Sequence, residues 1–399
     1  MKLKNYIFGI DRFVQDFGHL RNRNIGFLTN DAARPALQTG VTSREYLLDA
    51  GFRITRLFSP EHGIAARAED GAAVSDITDP VTGMPVVSLY GERLRARPED
   101  LRDLDLVLYD IPDVGARFYT YNWSMSHMLE ACADLQIPFY LLDRPNPTGG
   151  TVFEGPMQDA ADRSNFLGRA VIPVKHGLTS GELAQLLNRE WETGADLTVI
   201  ETGGWNREML HRTGYPFHQP SPALQSYDAV VLYPGLCLFE SVNMSIGRGT
   251  DASFLQIGAP WLNPAMIIAA LPDEIATGVT LSPVTFTPGY RPWENRECHG
   301  IRFSVDDAEA VRPVALALGL LAAIKITHGD QNHRDQLEWT TYPTAANPAG
   351  ENHFLRLTGN AALKNAIDTN PESLLNNPGI FTATDDWHRR IHDILLYTP

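Results

Sequence analysis

The chain has 399 residues, 43% of them hydrophobic and 20% charged, the make-up of a soluble globular protein with room for two or three domains, or one large domain with an appendage. Its formal net charge of -15 excludes nucleic acid and anionic membrane surfaces as partners, because both select basic patches. The three cysteines, Cys132, Cys237 and Cys298, are too few and too far apart for a disulfide framework or a zinc cluster.

The first ten residues carry positive charge but only a short apolar run, which Asp11 and Arg12 end before a signal segment can form. No later stretch approaches the ~18 apolar residues of a membrane span. The chain as given therefore reads as cytoplasmic, or as periplasmic or secreted if a leader has been removed. Short apolar runs then recur: Ile25–Thr29, Ile54–Phe58, Val86–Tyr90, Leu104–Tyr109, Pro138–Leu142, Leu197–Ile200 and Ala229–Tyr233. Most are continuous, as in strands covered on both faces. Helical patterns lie between them. Asn122–Gln136 carries Met125, Met128, Leu129, Cys132 and Leu135 at helical spacing behind a candidate Asn122 cap, and Thr179–Glu182 is a capping box. Strands alternating with helices predict an α/β fold: a Rossmann-like, doubly wound, mostly parallel sheet over residues 1–262. After Trp261–Pro264 the pattern changes. A strand over His299–Val305 and helices over Asp307–His328, Asn360–Thr369 and Asp385–Leu396 predict a smaller C-terminal α+β domain, residues 263–399, closing the active-site cleft.

Ligands of open parallel sheets bind outside the carboxyl ends of the strands. That rule selects Glu61 and His62 after the second run, Glu92 after the third, and Asp110, Asp113 and Arg117 after the fourth. It also selects Asp143, Arg144 and Asn146 after the fifth, and Glu240, Asn243 and Arg248 beyond Tyr233. The stretch Asp110–Tyr121 is the densest, with two carboxylates, an arginine and two tyrosines in one turn. Neither G-x-G-x-x-G nor a phosphate-binding G-x-x-x-x-G-K-[ST] is present, so dinucleotides and nucleoside triphosphates are excluded as cofactors; G-x-S-x-G and H-E-x-x-H are also missing. The spacing of His62, His176 and Asp113 demands no metal, and no cofactor is expected. A rim of carboxylates, tyrosines and arginines suits glycoside hydrolysis, which needs one protonated acid at the leaving oxygen and usually a second carboxylate. Glu61, between Pro60 and His62, is the candidate acid, with His62 orienting it or shuttling a proton. Tyr119, Tyr121 and Trp123 can stack on or hydrogen-bond sugar rings. Glu92, beside Arg93 and Arg95, reads as a solvated charge, Glu182 as a helix cap, and His176 as structural.

The segments Ser59–Gly63, Asp110–Tyr121, Leu142–Pro147, Glu154–Pro156, His176–Glu182, Tyr233–Gly235 and Leu238–Glu240 with Ser245–Thr250 are similar, in order, to those of the exo-β-N-acetylmuramidase family NamZ, long catalogued as the domain of unknown function DUF1343. The resemblance covers almost the whole chain. It implies a Rossmann-like domain plus a smaller C-terminal domain with the active site between them. It also implies release of N-acetylmuramic acid from the non-reducing end of peptidoglycan fragments, and a catalytic glutamate at Glu61. The saccharide would be held by Asp113, Arg117, Tyr119, Tyr121, Asp143, Asn146, Glu240 and Arg248, with Arg117 or Arg248 on the lactyl carboxylate. The chain departs from the family's usual pattern at Ile246, where an acid often stands, at Ser253–Leu255 in place of Pro-Phe-Glu, and at Ser221–Ala223 in place of Ser-Pro-Asn. Those positions leave the preferred sugar or peptide substituent open. The second catalytic group, inversion or retention, and the oligomeric state are also open. Alternatives are a differently specific hydrolase or transferase on the same cleft, or a glycan-binding protein.

Overall fold

The computed structural model describes residues 5–399 except 70, 161, 211–212, 330–336, 342, 344–346, 348, 378, 383 and 385. In chain order it opens with α1 (Gly9–Asp16), β1 (Ile25–Thr29), α2 (Ser43–Asp49) and β2 (Ile54–Ser59). Then come β3 (Ile77–Thr78), β4 (Pro85–Ser88), α3 (Pro98–Leu101), β5 (Leu106–Asp110), α4 (Tyr121–Leu135), β6 (Phe139–Leu142), α5 (Ser180–Glu190) and β7 (Leu197–Ile200). These strands form one sheet in the order β3-β4-β2-β1-β5-β6-β7, parallel except for the two-residue β3 at its edge. Without β3 this is the Rossmann order, and the expected α/β class holds. β1 and β5 are buried along their whole length, which explains their unbroken apolar runs. The strand order reverses between them, and their carboxyl ends are tied where the Thr29 hydroxyl donates to the Asp110 carbonyl at 2.9 Å.

One expected strand is a helix. Ala229–Tyr233 lies inside α6 (Tyr227–Leu236), started by Ser226, whose side chain accepts from the Ala229 amide. A short, wholly apolar run has no period and fits a doubly covered strand or a buried helix equally. α6 is the latter, because it packs against α8 (Pro313–His328), which is itself apolar all round. Gly235 sets the closeness of that contact: a Cβ there would lie 1.8 Å from the Pro313 carbonyl oxygen. α8 starts at Pro313, not Asp307, with proline in the first turn where its missing N–H costs nothing.

A second sheet, antiparallel and ordered β8-β10-β9, is built from β8 (Gln256–Ala259), β9 (Val279–Phe286) and β10 (Cys298–Val305), with α7 (Pro264–Ala270) between the first two. β8 thus precedes residue 262. Short helices Ala361–Thr369 and Trp387–Ile391 stand near the last two expected ones, although Asp385 lies outside the described residues. A single buried apolar cluster runs from Val107 and Phe139 through Leu232 to Leu320 and Ile324, so the two sheets share one core.

Candidate functional site

Glu61 sits just past β2 in the turn Pro60–Gly63 and is 8% exposed. Its two oxygens are held from opposite sides: the Gly71 amide donates to Oε1 at 2.8 Å, and the Thr120 hydroxyl donates to Oε2 at 2.6 Å. Thr120 occupies the N-cap position of α4 yet makes no side-chain cap bond, because its hydroxyl is turned to Glu61. Sequence reasoning named Asn122 as that cap and passed over Thr120. The amide at Oε1 can only donate, whereas a hydroxyl can donate or accept. A proton on Glu61 therefore belongs on Oε2. His62 follows with a φ of 66°, a left-handed conformation that costs a β-carbon residue on the order of 1 kcal/mol. Its Nδ1–H donates to the Ala68 carbonyl at 2.7 Å, and its ring stands edge-on to Tyr121, 6.3 Å between centroids. The strained turn is thereby pinned at both ends, and Glu61 is fixed with it.

Tyr119 and Tyr121 pack edge-to-face at 4.7 Å beside Glu61, and the Tyr121 hydroxyl donates to the Pro220 carbonyl. Trp123 is fully buried, with its indole N–H bonded to the Arg117 carbonyl, so it presents no face to a sugar. Tyr119 is near both Glu61 and Asp113. Asp113 accepts the Gly115 amide through Oδ2, with His176 Nε2 3.6 Å away. Nearby, Arg144 forms a two-point buried pair with Asp110 and lies over the Phe8 ring.

Three of the expected sugar-binding residues are committed elsewhere. The Arg117 guanidinium is buried and donates to four main-chain carbonyls, of Pro156, Ile172, Leu357 and Thr358. Asn146 closes its own turn through Thr148 and the Leu178 carbonyl. Asp143 accepts from the Gly181 amide, the Thr179 hydroxyl and the Tyr397 hydroxyl, which anchors the last residues to the start of α5. Glu182 caps α5, and it also accepts from Arg207 and the Leu396 amide. Glu154 accepts the first free amides of α8, those of Val314 and Ala315. Glu92 is exposed, as a solvated charge should be.

Burial pushes the Asp143 carboxyl up to about 7, against hydrogen bonds that lower it. An unfolded aspartate titrates near ~3.9. Between those values the folded chain keeps a proton that the unfolded chain has released, so this group makes stability fall as pH rises from about 4 to about 7. In urea melts across that range, Asp143→Asn is expected to flatten the decline relative to the parent. Parallel curves for the two proteins would refute the assignment.

Glu240 and Arg248 form a mostly buried pair at 2.5 Å, their side chains 20% and 17% exposed, linked to the Glu61 cluster by an aromatic chain. Tyr119 meets Tyr233, Tyr233 meets Phe254, and the Arg248 guanidinium lies over Phe254. Ile246 is buried. Among the described residues, no group of three or more His, Cys, Asp or Glu is placed to hold a metal ion, and no helix is long and apolar enough to cross a membrane.

Residues 25–228 match the family model of the N-terminal part of the exo-β-N-acetylmuramidase NamZ, and residues 231–397 match that of its C-terminal part. The peptidoglycan β-N-acetylmuramidase NamZ of Bacillus subtilis (strain 168) is 36% identical over 375 residues, 92% of this chain and 86% of that protein. Two solved DUF1343 family proteins of Bacteroides fragilis, each 26% identical, superpose with TM-scores of 0.83 and 0.71. The first covers 99% of both chains; the second covers 98% of this chain and 99% of its own.

Proposed function

The chain belongs to the NamZ family of glycoside hydrolases, and from that premise we propose that it releases N-acetylmuramic acid from the non-reducing end of peptidoglycan fragments, with Glu61 as the proton donor. In this reading Glu61 gives the proton on Oε2 to the glycosidic oxygen as the bond from that oxygen to the anomeric carbon breaks. Water then adds to the anomeric carbon and returns a proton to the site. The observation that carries the reading is the fixation of Glu61 by Thr120 and Gly71 in a strained turn. A carboxyl held so firmly has its hydrogen-bonding geometry set before substrate arrives. Thr120 is the group best placed to hold the proton while the acid waits. His62 supports the turn and does not need to touch the sugar.

Arg248 is the cation for the lactyl carboxylate. Part of its surface is open to a ligand, and Glu240, one of its partners, can yield one of two bonds to the shared oxygen. Arg248→Ala is expected to raise KM for a chromogenic β-N-acetylmuramide by about 10–100-fold, with a smaller effect on the matching N-acetylglucosaminide, which has no lactyl group. An equal effect on both sugars would remove Arg248 from that role. The test of the function itself is incubation with a disaccharide of N-acetylmuramic acid and N-acetylglucosamine carrying a label at its reducing end. Free N-acetylmuramic acid plus labelled N-acetylglucosamine is the expected outcome. Binding without cleavage, seen by calorimetry, would instead favour a glycan-binding protein.

A further inference from the structure

A cavity enclosing about 510 Å3 of empty space, part of it open to solvent, lies at the carboxyl ends of β1 and β5. This is the point where strand order reverses and ligands of such sheets bind. Its walls are mainly prolines and aromatics, among them Pro112, Phe217 and Pro220, and it is built almost wholly from the first family-matched part of the chain. We propose that this cavity is the subsite for an acetamido group, with the Asp113 carboxylate accepting the amide N–H. The proposal rests on the muramidase reading above and adds to it the residue that recognises the N-acetyl substituent.

Asp113 lines the cavity with its side chain 4% exposed. Oδ2 accepts the Gly115 amide, but Oδ1 is buried with no hydrogen-bond partner among the described residues. His176 does not satisfy it: Nδ1 accepts the Leu178 amide, so the neutral ring carries its proton on Nε2, and that atom stands 3.6 Å from Oδ2, outside bonding distance. A buried carboxylate oxygen with no donor costs on the order of 1–3 kcal/mol, and a ligand N–H would recover it. Two further polar atoms in cavity-lining residues, the Tyr215 hydroxyl and His218 Nε2, are likewise buried and unpaired among the described residues. Either can donate to a carbonyl oxygen. Burial also lowers His218 from its usual range, so the imidazole is neutral at pH 7.

An anionic group gains little here. The guanidinium that lines the cavity, Arg144, already has a two-point carboxylate partner in Asp110, and Asp113 adds negative charge. A cation meets apolar walls and that same arginine. The ligand that fits is neutral, with one donor, one acceptor and a small apolar end, which describes an acetamide. Tyr119 lies near both Asp113 and Glu61, and Tyr121 bonds to Pro220 of the cavity wall. Both rings are buried, so they carry no sugar themselves but tie the cavity wall to the Glu61 turn. A sugar at the mouth of the cavity would place its 2-acetamido group inside, with its glycosidic oxygen toward Glu61.

The test compares a chromogenic β-N-acetylmuramide with its 2-deoxy analogue, which lacks the acetamido group, and measures binding of N-acetylmuramic acid by calorimetry. The parent is expected to prefer the acetamido substrate, and Asp113→Ala to shrink that preference about 100-fold, the value of one charge-assisted hydrogen bond. Tyr215→Phe is expected to weaken binding of N-acetylmuramic acid about 5–10-fold with an unchanged melting temperature. It carries the test if Asp113→Ala fails to fold. Equal losses by Asp113→Ala on both substrates, or unaltered binding by Tyr215→Phe, would overturn the subsite. If the parent cleaves neither substrate, the hydrolase reading fails, while the calorimetric comparison still decides the subsite.

Discussion

Glu61→Gln is expected to lower kcat on an unactivated disaccharide by about 10³-fold while KM stays within about threefold, the contribution of a positioned general acid. The amide keeps the shape of the side chain and can still accept the Gly71 N–H through its oxygen, so the fold and the sugar contacts survive. What is lost is the proton on the side that Thr120 faces. A leaving group that needs no protonation removes part of that demand. With an aryl glycoside of low leaving-group pKa, the same variant is therefore expected to recover at least tenfold relative to the disaccharide. Near-parental turnover of the unactivated disaccharide by Glu61→Gln would end the assignment. An equal loss on both substrates would show that Glu61 acts on something other than the leaving oxygen. Thr120→Val offers a finer check. It removes the hydroxyl that shares the proton, and because that hydroxyl makes no cap bond the start of α4 loses none, so activity should drop with little change in stability.

Arg117→Met is expected to destabilise the protein by on the order of 4 kcal/mol, read from urea melts followed by circular dichroism. The guanidinium has four main-chain carbonyl partners, and burial pushes it down to about 9, still charged at pH 7. Methionine fills a similar volume but leaves those carbonyls buried without donors. The damage should be global, because the carbonyls belong to chain segments around residues 156, 172 and 357–358, and Arg117 holds them together. Arg117→Lys should regain part of the loss, since an ammonium has three donors at one point on a flexible, slightly shorter stem and cannot span four acceptors. A change below about 1 kcal/mol for the methionine variant would mean that the cage is dispensable. It would also reopen the possibility that Arg117 meets substrate.

The fate of Arg117 marks where sequence reading runs out. Its type, its place after β5 and its neighbours all suit an anion-binding role. What decides otherwise is a pair of carbonyls about 240 residues away, and carbonyls leave no trace in sequence because every residue has one. Asp143 shows the same limit, with its hydroxyl partner at Tyr397. The position of Glu61, by contrast, just past the carboxyl end of β2, could be read from local features: a continuous apolar strand followed by a turn of proline and glycine. The strands β1, β2, β6 and β7 were legible to within a residue for the same reason, each being a short buried run with a polar stop. Ala229–Tyr233 was not, because apolarity without a period does not say whether burial comes from two sheet faces or from a ring of helices. The Ser226 cap was the available signal. The cavity beside Asp113 is assembled from prolines and aromatics that are scattered along the chain, and no spacing rule gathers them.

The Tyr397–Asp143 bond has a consequence for how the protein is made. The two residues are 254 positions apart, so during synthesis at about 5–20 residues per second the aspartate waits roughly 10–50 s for its partner. For that interval the nascent sheet holds a carboxyl whose burial is only partly compensated, and the start of α5 lacks its last tie. The emerging chain should therefore remain protease-sensitive near α5 until Tyr397 leaves the ribosomal tunnel. Ribosome-bound chains that contain Tyr397 but still hold it inside the tunnel would show that sensitivity, and release should abolish it.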